Sequence, residues 1–175
     1  MSHQGIDTVI LGMILETHKP ESVMTHANFA PEAKVRKLHP DAKLPAYKTE
    51  GAIGADIYLF DPEGSISEIG HTVVRLPTGI ALTPPAGFYA HVAPRSGLGN
   101  EGLHLVAEIV DPDYTGEVMV AAIVAPGHPP IKIKSGDRIA QLVFLRSNQV
   151  AFAEVANLDE TDRGAGGFGS TGRSA

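Results

Sequence analysis

The chain has 175 residues, 43% of them hydrophobic and 19% charged, with a formal net charge of −6 and no cysteine. That length suits one domain with a real core, and the acidic balance excludes broad binding to nucleic acid, whose phosphates need a basic field. The missing thiols rule out disulfides and thiolate chemistry, which fits a reducing compartment.

In chain order, the first apolar run, Ile6 to Leu15, contains Asp7 and lacks a basic leader. At about ten residues it is too short to span a bilayer and does not resemble a secretory signal. The expected location is cytoplasmic, or nuclear in a eukaryotic cell, with no membrane partner and no secretion. The stretch "PESVMTHANFAPEAK" has a weak helical period that Ser22 would cap. Residues 1–34 read as an N-terminal extension without an assigned role, ordered if at all on a partner subunit.

From residue 50 onward the pattern changes to short Val- and Ile-rich runs bounded by Gly, Pro, Asp or Asn. Strands are expected at Ala55 to Leu59, Thr72 to Pro77, Gly79 to Thr83, Gly87 to Val92, Leu105 to Val110, Glu117 to Val124, Ile131 to Ile133, Ile139 to Leu145 and Phe152 to Val155. Such spacing is that of an all-β sandwich or barrel with little helix. A turn near Gly97 is the one helical feature expected there.

Four segments in this β region hold candidate chemistry. In "EGAIGADIYL", Asp56 sits just inside a strand after glycines. In "APRSGLG", Arg95 and Ser96 precede a turn bearing Gly97, so a guanidinium, a hydroxyl and backbone N–H groups share one place suited to phosphate; an ordinary surface turn with an ion pair remains the alternative. In "EIVDPDYTGE", Asp111, Asp113 and Tyr114 meet at a turn, where one carboxylate would orient a water, or where both would only bond the backbone. With an ordinary pKa of about 3.9, an Asp there is a weak base that works mainly by position. In "GDRIAQLVF", Gln141 interrupts an apolar strand and needs a partner, either a ligand or a backbone group.

The eight histidines show no metal-ligand spacing, and no G-x-S-x-G elbow is present. No direct metal ligand is expected; a metal would be Mg2+ held through phosphates and water. The tail "RGAGGFGSTG" contains a G-x-G-x-x-G match at Gly164, Gly166 and Gly169, but only six residues follow, too few for the helix of a dinucleotide site. It reads either as an anion-binding arm, with Arg163, Ser170 and Thr171 beside flexible N–H groups, or as a disordered tail.

Taken together, "GADIYL", "PRSGLG", "VDPDYTGEV", "GDRIAQLVF" and "RGAGGFGSTG" resemble, in order and spacing, the five motifs of the homotrimeric dUTPase family. The resemblance runs from about Val35 to Thr171. It implies a jelly-roll-like β-barrel over residues 35–160, with a flexible Gly-rich lid arm over 161–175. It also implies hydrolysis of dUTP to dUMP and pyrophosphate by water attack on the α-phosphate, with Mg2+ as cofactor, in a homotrimer whose sites are shared between subunits. Such an activity keeps uracil out of DNA and supplies dUMP for thymidylate synthesis. By the same resemblance Asp111 is the catalytic aspartate, and Asp56 and Asp113 support the site. Tyr114 packs on the deoxyribose, and Arg95, Ser96, Gly97 and Gln141 meet phosphates. The hairpin containing Leu105 and Val110 reads uracil through its backbone. In the arm Phe168 stacks on the base, while Arg163, Gly169, Ser170 and Thr171 close over the phosphates.

Two departures stand out. Glu108 occupies a position three before Asp111 where the family usually has Gly, so its side chain must point away from the base or alter the slot; residues 1–34 have no counterpart. A dCTP deaminase on the same fold is the nearest rival, but Ala121 falls where that family has its proton-shuttling Glu. A regulatory protein partner beside catalysis stays open, with the extension as its contact.

Overall fold

The structure, a computed structural model, describes residues 31–66 and 68–167. The helix expected around Ser22 and the arm residues Phe168, Gly169, Ser170 and Thr171 lie outside the described residues. The described residues from Ala33 onward form one compact unit.

The described residues are nearly all β, with two four-stranded antiparallel sheets. The first contains β1 (Lys34–Lys37), β4 (Val74–Thr83), β8 (Glu117–Val124) and β6 (Leu103–Ala107), in that order. The second contains β2 (Ala55–Tyr58), β10 (Arg138–Arg146), β5 (Phe88–Ala93) and β7 (Ile109–Val110), again in that order. A small third sheet pairs β3 (Glu68–Ile69) with β9 (Ile131–Lys132), and the one α-helix among the described residues is α1 (Ser96–Asn100), at the turn expected near Gly97.

Alternation along the strands builds the core. In β8 every second residue, Val118, Val120, Ala122 and Val124, is buried. These pack in one cluster with Leu76 and Ile80 of β4 and with Ile57, Val92, Ile139 and Leu142 of the second sheet. Each Val, Leu or Ile among them contributes about 1.5 to 3 kcal/mol on burial. This is the two-sheet arrangement that the strand pattern implied, and it is consistent with the jelly roll that the resemblance implied.

Four details differ from the sequence reading. The runs Thr72 to Pro77 and Gly79 to Thr83 are one strand, β4, whose register against β8 shifts between Pro77 and Ala81. The Glu117 carboxylate accepts the N–H groups of Thr78 at 3.1 Å and Gly79 at 2.7 Å, so the Pro-Thr-Gly punctuation becomes a bulge instead of a turn. Gly79 has φ +68°, and a Cβ there would stand 2.7 Å from that of Ala42. Conversely, the run Leu105 to Val110 is two strands, β6 and β7, which belong to different sheets and change over at Glu108. Phe152 to Val155 is not a strand, and Phe152 is 96% exposed. The short strands β1 and β3 went unread because "KVRK" and "EI" carry too few apolar residues to signal a strand.

Candidate active site

β10 lies between β2 and β5, and Gln141 is paired with Asp56 on one side and Ala93 on the other. Just past Ala93 the chain leaves the sheet through Pro94 and Arg95 into α1. This register gathers two of the expected motifs around a third. Asp56 is only 6% exposed, and a buried carboxylate needs charge partners on both oxygens. Arg95 Nε donates to Oδ1 at 3.0 Å and Arg138 Nη1 to Oδ2 at 2.9 Å. Arg95 also donates from Nη1 to the Arg138 carbonyl at 3.3 Å, tying the two arginines together.

The Gln141 amide donates from Nε2 to the Pro94 carbonyl at 3.0 Å, which answers what partner it finds within its own chain. Its Oε1 lies over Gly54, where an added Cβ would come within 2.1 Å. A side chain at Gly54, the second glycine of "GAIGAD", would therefore displace the Gln141 amide from this position. Arg138 went unassigned in the sequence reading. No local signal marked it, because the need of Asp56 for a second cation follows from a burial that only the assembled sheet shows.

Ser96 and Gly97 open α1 and are exposed, and nothing stands within 4 Å of a Cβ added to Gly97. Packing inside the chain thus does not demand glycine there.

A second cluster forms at the turn after β7. Asp111 and Asp113 are exposed, and the Tyr114 N–H closes the turn on the Asp111 carbonyl at 3.1 Å. The Tyr114 hydroxyl donates to the Glu117 carbonyl at 2.9 Å, and a Cβ on Gly116 would stand 2.4 Å from that hydroxyl oxygen. The ring is 45% exposed. Val110 is buried and pairs with Ala90, whereas Leu105 lies on β6 in the other sheet. Glu108 faces β5: its carbonyl accepts the Val92 N–H at 2.7 Å and its Oε2 is 3.8 Å from His91 Nε2.

The two clusters do not meet within one chain. Val110 is level with Ala90 and Gln141 with Ala93, on opposite sides of β5. At 3.3 Å per residue and 4.8 Å per strand, Asp111 is about 13 Å along the sheet and about 10 Å across it from Gln141. Arg163 is not among the ion-pair partners of Asp56, and its Nε donates to the Gly166 carbonyl at 2.9 Å inside its own turn.

Among the described residues no three His, Asp or Glu side chains converge as an ion cage. Away from both clusters, Asp61 is buried and its carboxyl is held below the ordinary carboxylate range, first by the Ile66 N–H at 2.6 Å; burial opposes this, and the Ser65 hydroxyl at 2.9 Å adds to it.

A family model described as dUTPase matches residues 40–172. The chain belongs to the dUTPase family. Among curated relatives, the deoxyuridine 5'-triphosphate nucleotidohydrolase of Syntrophotalea carbinolica is 42% identical over 142 residues, covering 79% of this chain and 95% of that one. Among solved structures, a variant of the Staphylococcus bacteriophage 80alpha dUTPase with dUpNHpp superposes with a TM-score of 0.68 at 20% identity, covering 81% of this chain and 99% of that one. A variant of the dUTPase from phage phi11 of S. aureus, in which a structural Mg(II) ion is coordinated, gives 0.61 at 18% identity over 72% and 97% of the two chains. At such identities the phage structures support the shared fold. Among the described residues, no helix of this dUTPase is long and apolar enough to cross a membrane.

Proposed function

We propose that this dUTPase hydrolyses dUTP to dUMP and pyrophosphate by in-line attack of water on the α-phosphorus, in a homotrimer with shared sites. The activity rests on family membership, and the assignment of residues on one observation. The motif residues Asp56, Arg95 and Gln141, scattered over 86 positions of sequence, form one hydrogen-bonded cluster beside the exposed first turn of α1.

In this reading Asp56 acts through the arginines. It holds both guanidinium groups in place while their remaining N–H donors, with Ser96, the open backbone at Gly97 and the Gln141 side chain, receive phosphate oxygens. Preorganised donors of this kind stabilise developing charge without having to move during reaction. Asp111 orients the water, helped by Asp113 in the same turn. Its contribution comes from position. Tyr114, fixed by its bond to Glu117, presents a ring face to the deoxyribose and leaves no room for a 2'-hydroxyl.

The distance between Asp111 and Gln141 supports the shared site. A second copy supplies the Asp111 turn to the phosphate cluster of the first. Uracil is read by backbone groups of the hairpin around Leu105 and Val110; cytosine would leave buried donors and acceptors unpaired, a mismatch that can cost about 10⁴-fold or more. Glu108, engaged with β5, keeps its side chain off that slot.

The arm over residues 161–175 closes last. Stacking of Phe168 on the base is worth about 1 to 3 kcal/mol, less than the cost of ordering several residues at about 1 to 2 kcal/mol each. Closure therefore depends on Arg163, Gly169, Ser170 and Thr171 reaching the phosphates. The oxygen-rich substrate suits Mg2+, carried by phosphates and water; when bound, the ion would neutralise triphosphate charge. Residues 1–34 are a separate extension, and a cytoplasmic location suits the cysteine-free chain.

Pyrophosphate release measured with dUTP, UTP, dTTP and dCTP tests the function. Only dUTP should turn over appreciably; equal turnover of UTP would refute the role of Tyr114, and no turnover of dUTP would refute the enzyme reading.

A further inference from the structure

Glu108 is the single residue between β6 and β7, at the point where the chain leaves one sheet for the other. Its backbone is fixed on β5, since its carbonyl accepts the Val92 N–H at 2.7 Å. The freedom left at this position is that of the side chain. A glycine would carry none, whereas glutamate brings an anion on a flexible stem next to Ile109 and Val110.

One contact restrains that anion. Glu108 Oε2 lies 3.8 Å from His91 Nε2, its one ion pair among the described residues. On β5 the neighbours Ala90 and Val92 are buried, so His91 is turned away from the core, level with Val143 of β10 on one side and Ile109 of β7 on the other. The His91 and Glu108 side chains are 29% and 39% exposed. A contact of this kind adds little to stability, yet a side chain with no competing partner needs little to be turned one way.

That direction matters for the base. Uracil offers two carbonyl oxygens on its pairing edge, and a carboxylate swung toward them meets lone pairs. Cytosine has an amino group in place of one of those oxygens, and a carboxylate accepts its hydrogen bond. A loose Glu108 beside the hairpin therefore favours the wrong base, and specificity is a difference between two affinities.

We infer that His91 is a specificity-determining positioning residue: it holds the Glu108 carboxylate against the outer face of β5, away from the base slot, and so denies cytosine an acceptor there. The inference rests on the proposed reading of uracil by the hairpin around Leu105 and Val110, and adds to it a residue on the neighbouring strand. His91 touches neither substrate nor attacking water in this arrangement and acts through Glu108.

The test uses the full chain with His91→Ala, Glu108→Ala, the double variant and His91→Lys. Calorimetric binding of dUMP and dCMP reads the base slot without requiring turnover. In His91→Ala the ratio of dUMP to dCMP affinity should fall about fivefold, the upper range for one partly exposed charge contact. Adding Glu108→Ala to that protein should recover most of the ratio, and His91→Lys should keep it, because an ammonium also pairs with the carboxylate. In turnover, His91→Ala should raise the KM for dUTP and lower the inhibition constant of dCTP, with kcat for dUTP as in the unaltered protein. An unaltered ratio in a His91→Ala protein with an unaltered melting profile would overturn the inference, as would a fall that persists in the double variant. If dUMP is preferred and the ratio follows Glu108 while no dUTP is turned over, His91 keeps its role and the enzyme reading falls.

Discussion

The Asp56 cluster and the Asp111 turn are built by opposite means. Asp56 is 6% exposed, with a guanidinium on each carboxylate oxygen, and Gln141 is pinned between the Pro94 carbonyl and Gly54. Asp111 is exposed, and among the described residues its turn is held by local bonds, the Tyr114 N–H to the Asp111 carbonyl and the Tyr114 hydroxyl to the Glu117 carbonyl. A cluster whose charges are already paired is a finished binding surface. A carboxylate left in solvent is a group free to meet a counterpart, which in the proposed function is the Asp56 cluster of another copy of the chain.

Substitutions should separate the two regions. Asp111→Asn should lower kcat by about 10² to 10⁴-fold while changing stability by no more than about 0.5 kcal/mol, since the site is exposed. Pyrophosphate release and denaturant midpoints read both; a large loss of stability would show that the turn is a structural element after all. Asp56→Ala should do the reverse in proportion, costing about 2 to 3 kcal/mol of stability and also weakening phosphate binding. That figure is below the one for a fully buried pair, because the Arg95 and Arg138 side chains are 26% and 41% exposed. A variant as stable as the parent would mean that the arginines hold their places without Asp56.

Smaller changes sharpen the contrast. Tyr114→Phe removes one partly exposed hydrogen bond worth about 0.5 to 1.5 kcal/mol, so the preference for dUTP over UTP should fall a few-fold as the ring loosens. An unchanged preference would show that Gly116 alone positions the ring. Acid should act at Asp61. Its folded pKa is depressed, so its contribution to stability is complete well above the ordinary value of 3.8 and is lost as pH falls through that value toward the folded one. Asp61→Asn should flatten this part of the stability profile while leaving it unaltered near neutrality in slope; an identical acid limb in both proteins would place the titrating group elsewhere.

Much of this was legible in the chain because β chemistry is local. The Val and Ile alternation of "EVMVAAIV" marks β8 at its observed bounds, and the five motifs in order carry the family. The splitting of Leu105 to Val110 between sheets was hidden, because a short apolar run looks the same whether or not it changes partner midway. The fusion of two runs into β4 was hidden for a related reason: Thr78 and Gly79 read as a turn until Glu117, 38 residues beyond Gly79, binds their N–H groups. Arg138 was missed because an arginine beside a strand is usually a solvated charge, and the burial of Asp56 becomes evident only when the sheet is assembled.

The sequence by itself determined the class of fold, the family and which residue types stand ready for phosphate, since these follow from side-chain chemistry and short-range spacing. Tertiary structure decided which of those residues meet. The register of β10 between β2 and β5 brings Asp56, Arg95, Arg138 and Gln141 together, and the same register keeps Asp111 away from them. Strand pairing is a long-range choice made by the packing of a whole face, and no local stretch of residues contains it.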